Sequence, residues 1–198
     1  MCASLPPIAV DIESKILAIR SKEQMGRIVQ WTGKDKKRFR KLMEFFLSGD
    51  EPLAKKSAWI IGHAAEQYPE LVTPWLELMI KKIQCPGVHG ALKRNVVRIL
   101  QFASLPRKLQ GTVATLCFEY LSSINEPIAV RTFSMTVLDK IAQKEPALKK
   151  ELELLVQQML PYATAAFRSR AKKVLKNPSM KELSVDPEEA WYRTRKSL

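Results

Sequence analysis

Glycine, cysteine, histidine and acid are all scarce in this chain of 198 residues. Seven Gly are few for the many turns of an all-β domain, and weigh against one. The three cysteines, Cys2, Cys85 and Cys117, are odd in number and far apart, and form no CxxC pair. The two histidines, His63 and His89, stand alone. That leaves a zinc site or a disulfide framework little to build on, and free thiols in a reducing cytosol are expected. Long apolar runs are missing too. Charged residues break each one well before the ~18 residues of a membrane span. The opening MCASLPPIAVDIESK has no basic leader and is broken by Pro6 and Pro7, so no signal peptide is expected and a cytoplasmic location is. No Gly-rich phosphate loop, GxSxG or HExxH occurs, and Glu151 and Glu153 fall on different faces of one helix. No enzyme signature is present, and no metal or cofactor is expected. Acid is the last shortage: 20 Asp and Glu against 33 Lys and Arg give a net charge of +13.

What is present is helical spacing. Hydrophobic residues make up 46%, enough for a core and too many for a disordered chain. In Lys36 to Leu47 the apolar residues Phe39, Leu42, Met43, Phe45, Phe46 and Leu47 recur mostly three and four apart. Leu148, Leu152, Leu154, Leu155, Val156, Met159 and Leu160 do the same over Ala147 to Leu160. Both read as amphipathic helices. Between such segments stand breakers. Gly49-Asp50-Glu51-Pro52 supplies a C-cap glycine, an acidic N-cap and an early proline, and Asn125-Glu126-Pro127 and Leu160-Pro161 act similarly. The spacing predicts about nine helices and no sheet.

The segments also repeat. Glu51-Pro-Leu-Ala-Lys-Lys-Ser returns as Glu126-Pro-Ile-Ala-Val-Arg-Thr. A small residue recurs as Ala54, Ala91, Ala129 and Ala166, and a base two positions on as Lys56, Lys93, Arg131 and Arg168. Further columns hold Gly62, Ile99, Val137 and Val174, then His63, Leu100, Leu138 and Leu175. The bases lie 37, 38 and 37 residues apart. Each unit reads as a helical hairpin that must stack on its neighbours to bury its apolar faces.

The pattern resembles the HEAT repeat family, most clearly in Asn125-Glu-Pro-Ile-Ala-Val-Arg-Thr-Phe-Ser-Met-Thr-Val-Leu, where Val130-Arg131 matches the family's Val-Arg pair. The resemblance covers roughly residues 34–176. It implies an all-α, right-handed α-α superhelix of about four helical hairpins, with a concave surface built by the second helices. It also implies an Asp six residues before each base, in a ladder between units. Here those positions hold Asp50, Gly87, Asn125 and Tyr162, so three bases lack the acid the family pattern implies. They are either a solvated or capping row, or a basic stripe that faces an acidic partner.

That stripe is the leading binding reading: Lys56, Lys93, Arg131 and Arg168, with Arg94, Arg98 and Lys172 as outer contacts and Trp59 as a stacking residue near the first groove. Such a row would pair with the carboxylates of an acidic protein segment or the phosphates of a DNA or RNA backbone. The basic runs Lys34 to Lys41 and Arg168 to Lys176 extend it. His63 shares a column with leucines, so a buried or edge position is expected, and His89 reads as a turn residue. A second reading comes from likeness to bacterial alkylpurine DNA glycosylases, some of them HEAT-like solenoids with a basic groove. That resemblance implies a groove Asp among aromatics. Asp139 is the only Asp between residues 51 and 185, and its helix offers Phe133 but no Trp.

The chain divides on this reading into an N-terminal capping region (1–33), the repeats (34–178) and a polar C-terminal tail (179–198). Residues 10–31 read as a capping helix or helix pair. A short helix is expected at Pro187 to Thr194, with Trp191 and Tyr192 docking or capping.

Overall fold

The computed structural model describes residues 12–175 apart from Gly49 and Lys144. The tail with Trp191 and Tyr192, Cys2, Lys176 and the expected Gly49 cap lie outside the described residues. Within them the chain is helical and holds no strand. The α-helices are α1 (Ile12–Leu17), α2 (Lys22–Thr32), α3 (Lys36–Leu47), α4 (Glu51–Gln67), α5 (Leu76–Gln84), α6 (Gly90–Phe102), α7 (Arg107–Ser122), α8 (Ile128–Ala142), α9 (Pro146–Met159) and α10 (Ala165–Val174). Short 3-10 turns cover Pro69–Leu71, Thr73–Trp75 and Leu160–Tyr162. There are more helices than the nine expected because the N-terminal segment is a pair. Ser21 breaks it: its side chain accepts from Gln24 N at 3.2 Å and starts α2.

The other starts follow the same chemistry. Asp35 accepts from Lys37 N and Arg38 N, and its carboxyl is held below the usual range, chiefly by the Arg38 backbone bond. Asp50 accepts from Leu53 N at 2.7 Å, as the sequence led one to expect. His89 proves to be an N-cap, its Nδ1 accepting from Ala91 N at 3.0 Å. Gly87, just before it, turns at φ +74°, a region that favours glycine.

Two compact units divide at Leu105–Pro106. In the first, α3 pairs with α4 and α5 with α6, while α4 packs directly on α6 and also meets α1 and α2. In the second, α7 pairs with α8, and α8 packs on both α9 and α10. Each unit thus has a second-helix layer, α4–α6 in one and α8–α10 in the other. The largest wholly buried side chains include Phe39, Phe46, Ile60 and Ile61 in the first unit and Phe167 in the second. Along α3 the buried set is the predicted one, Phe39, Leu42, Met43, Phe45 and Phe46. Along α9 only Leu152 and Val156 are buried, and Leu154 is exposed, because α9 meets its neighbours along a narrow stripe.

Burial also fixes the register of the sequence repeats. Ala54, Leu92, Val130 and Phe167 are buried in one column, and Ile61, Ile99, Val137 and Val174 in another, at intervals of 38, 38 and 37. The first repeat, α3 with α4, is therefore displaced by one residue from the alignment read on sequence. Lys55, not Lys56, shares the column of Lys93, Arg131 and Arg168. His63 falls with Gln101 and Asp139 rather than with leucines, and its side chain keeps 26% exposure.

A buried hydroxyl provides a check on this packing. Ser57 is wholly buried on α4, and its Oγ has no hydrogen-bond partner among the described residues. Desolvating a hydroxyl without a partner costs free energy, and Ala has the higher helix propensity. Ser57→Ala is expected to raise stability by about 1 kcal/mol in urea unfolding. A lowered midpoint would show that the hydroxyl is satisfied in the native protein.

Candidate functional site

Each base of the expected row is placed by a helix, and most are engaged within the protein. Lys56 is half-buried on α4. Its ammonium donates to the carbonyls of Leu17 and, at 3.2 Å, Ile19, at the end of α1. Burial lowers its pKa, and the Arg20 charge adds to this. Arg131 on α8 donates from Nε to Leu121 O at 3.1 Å, at the end of α7, and lies over the Phe167 ring at 5.5 Å. Burial lowers its pKa as well. Arg168 on α10 reaches Pro161 O at 3.5 Å. Lys93 is half-buried and engaged. The recurring contact is thus a base set against the last carbonyls of an earlier helix, groups that helical geometry leaves without partners. Arg131 and Arg168 do this within their own hairpins, whereas Lys56 reaches α1. In its place Lys82 of α5 donates to Ser48 O, at the end of α3, at 3.3 Å.

The outer contacts divide in two. Arg98 forms an ion pair with Glu66 across α6 and α4, and Glu66 also stands 3.4 Å from His63 Nδ1. Desolvation, with help from Arg98, lowers the His63 pKa although Glu66 pulls the other way. Trp59 meets His63 edge-on, ring centres 6.2 Å apart, and is half-buried. These four side chains form one polar–aromatic cluster on the α4–α6 layer. Arg94 on α6 and Lys172 on α10 are exposed, and neither has a partner among the described residues. Lys173, beside Lys172, is likewise exposed, and α10 carries no acid. Arg170 of the same helix is committed, donating to Thr136 Oγ1 at 2.9 Å.

Asp139 has a structural partner. Lys149 of α9 reaches it at 2.6 Å, approaches Glu153 at 3.5 Å and donates to Val174 O at 2.7 Å. The carboxylate is spent, through Lys149, on holding three helices together. Cys117 is buried, its thiol pushed up to about 12 by burial, with the Ser134 side chain pulling the other way. It is an inert core thiol. No cluster of His, Cys, Asp and Glu suited to a metal occurs among the described residues, nor does any helix there have the length and apolarity to cross a membrane.

One feature was not legible in the sequence. At the loop end of the second unit lies an open cleft of about 550 Å³. Ile124, Ile128, Met159, Tyr162 and Phe167 wall it, and Arg131 is its one charged lining residue. Ile124 is 85% and Tyr162 70% exposed. The available signal was the presence of large apolar residues flanking the breakers Asn125-Glu126-Pro127 and Leu160-Pro161, which periodicity treats as punctuation only.

Stacked helical hairpins with second helices packed on one another define a helical-repeat scaffold, a protein-interaction fold. A family model for the HEAT repeat domain matches residues 12–178, and the chain belongs to the HEAT repeat family. The match takes in α1 and α2, so it begins earlier than the pattern read on sequence. Comparison with curated proteins and with solved structures found no match. HEAT repeats generally mediate protein interactions.

Proposed function

We propose that this HEAT-repeat protein is a non-enzymatic scaffold that engages an acidic protein segment through its basic second helices. The observation that carries the reading is the set of exposed cations with no partner on those helices: Arg94 on α6, and Lys172 and Lys173 on α10, a helix without acid. The bases of the expected row contribute less, because they are set against helix-end carbonyls. Their charge still adds to the field of a chain that carries +13. Exposed cations steer an acidic segment and pair with its carboxylates, and such contacts weaken with salt. No observation favours base excision, since Asp139 is ion-paired with Lys149.

The test is fluorescence anisotropy with a fluorescein-labelled twelve-residue peptide of alternating Glu and Ser, over a salt series, beside a labelled 20-base-pair duplex. The triple variant Arg94→Gln, Lys172→Gln, Lys173→Gln is expected to weaken peptide binding at least tenfold and to flatten its salt dependence. Unchanged binding by the variant overturns the reading. A duplex bound tighter than the peptide, and lost in the same variant, replaces the protein segment with a nucleic-acid backbone.

A further inference from the structure

The loop-end cleft of the second unit joins two properties that together specify a ligand. Its walls are large apolar side chains: exposed Ile124 from the loop before α8, exposed Ile128 at the start of α8, half-buried Met159 at the end of α9 and exposed Tyr162 in the 3-10 turn after it. Its floor holds a half-buried guanidinium. Arg131 donates from Nε to Leu121 O and lies over the Phe167 ring, 5.5 Å from its centre. Neither Nη1 nor Nη2 has a partner among the described residues, and no acid lines the cleft. A planar fork with two spare nitrogens, tied at Nε and partly desolvated, matches a carboxylate bound through both oxygens. The exposed apolar walls match bulky side chains next to that carboxylate.

We propose that this cleft is a docking site for an extended partner segment in which an Asp or Glu stands beside a large apolar residue. Charge complementarity selects the acid. The volume, within the range of about 300–1,000 Å³ typical of binding clefts, admits the neighbouring side chains. The open mouth suits a chain that runs through rather than a molecule that is enclosed. This site is separate from Arg94, Lys172 and Lys173, so it stands or falls independently of the general acidic-segment reading.

The experiment uses the full chain and a fluorescein-labelled peptide of sequence SGDFELGS. Two controls change one property each: SGNFQLGS removes the charge and SGDSESGS removes the apolar groups. Each control is expected to bind at least tenfold more weakly than the parent. Arg131→Gln is expected to lose at least tenfold, and Arg131→Lys several-fold, since a point charge keeps attraction and loses the fork. Ile124→Ser and Tyr162→Ser alter exposed side chains, leave the core alone, and are expected to weaken the parent peptide several-fold each. Arg94→Gln with Lys172→Gln is expected to leave it unchanged. Equal binding of the three peptides, or indifference to both Arg131→Gln and the two serine variants, overturns the proposal. Displacement by octanoate at the concentration of unlabelled peptide also overturns it, by assigning the cleft to a small amphipathic acid.

Discussion

Replacing Phe167 by Ala is expected to lower stability by about 3–5 kcal/mol, the usual cost of deleting a buried aromatic ring. Phe167 is 1% exposed on α10, whose packing on α8 attaches the last described helix to its unit. Its ring also supports the Arg131 guanidinium, 5.5 Å away. The deletion therefore removes packing on one side and lets a cation swing on the other. The loss corresponds to a fall in melting temperature of roughly 6–20 °C for a protein of this size. Amide exchange should locate the effect, with α10 opening before α7. Phe167→Leu, which keeps most of the volume, is expected to cost less than half as much. A full-size loss with α10 protection unchanged would place the packing role of Phe167 elsewhere.

Lys149→Met is the second large effect, about 1–3 kcal/mol. One ammonium serves the Asp139 carboxylate on α8 and the Val174 carbonyl at the end of α10, while its own helix is α9. Methionine keeps the stem but leaves Asp139 half-buried without its cation, and Val174 O loses its donor. Removing one partner of a buried pair costs about 3–5 kcal/mol, and the 22% and 30% exposure of these two side chains lowers that figure. Adding Asp139→Asn to Lys149→Met should recover about 1 kcal/mol, because the neutral amide no longer needs the cation. Chemical unfolding of the two single variants and the double variant measures this coupling. Zero coupling would mean that Lys149 acts through the Val174 carbonyl alone. Asp139→Asn by itself should also leave any nucleic-acid binding untouched.

The repeat architecture was legible because it is written in local chemistry. Period-3.6 apolar spacing located α3 to the residue, since Asp35 caps its start and the buried set Phe39, Leu42, Met43, Phe45 and Phe46 leaves one face only. Breakers such as Asn125-Glu126-Pro127 and the Asp50 cap marked the other ends. The copying of one hairpin along the chain then dictated stacking, because a lone hairpin cannot cover its own apolar face. The first repeat sits one residue out of the register that the sequence pattern suggests. Lys55 and Lys56 are both bases, so composition could not choose between them, and only the burial of Ala54 and Ile61 did.

The candidate site was legible in part. Sequence determined that bases recur on the second helices and that acids are too few to balance them. It could not determine what each base touches. What a basic side chain engages depends on carbonyls ten or more residues away, such as Leu121 O for Arg131 Nε, or thirty-seven and more for Lys56. That distance is set by how the hairpins stack. Tertiary structure separated the engaged bases Lys56, Arg98 and Arg131 from the exposed Arg94 and Lys172. It also brought Ile124, between α7 and α8, and Tyr162, after α9, together in one cleft. Helices are local and can be read from neighbours along the chain. A cleft is made by residues that become neighbours only after the helices have packed.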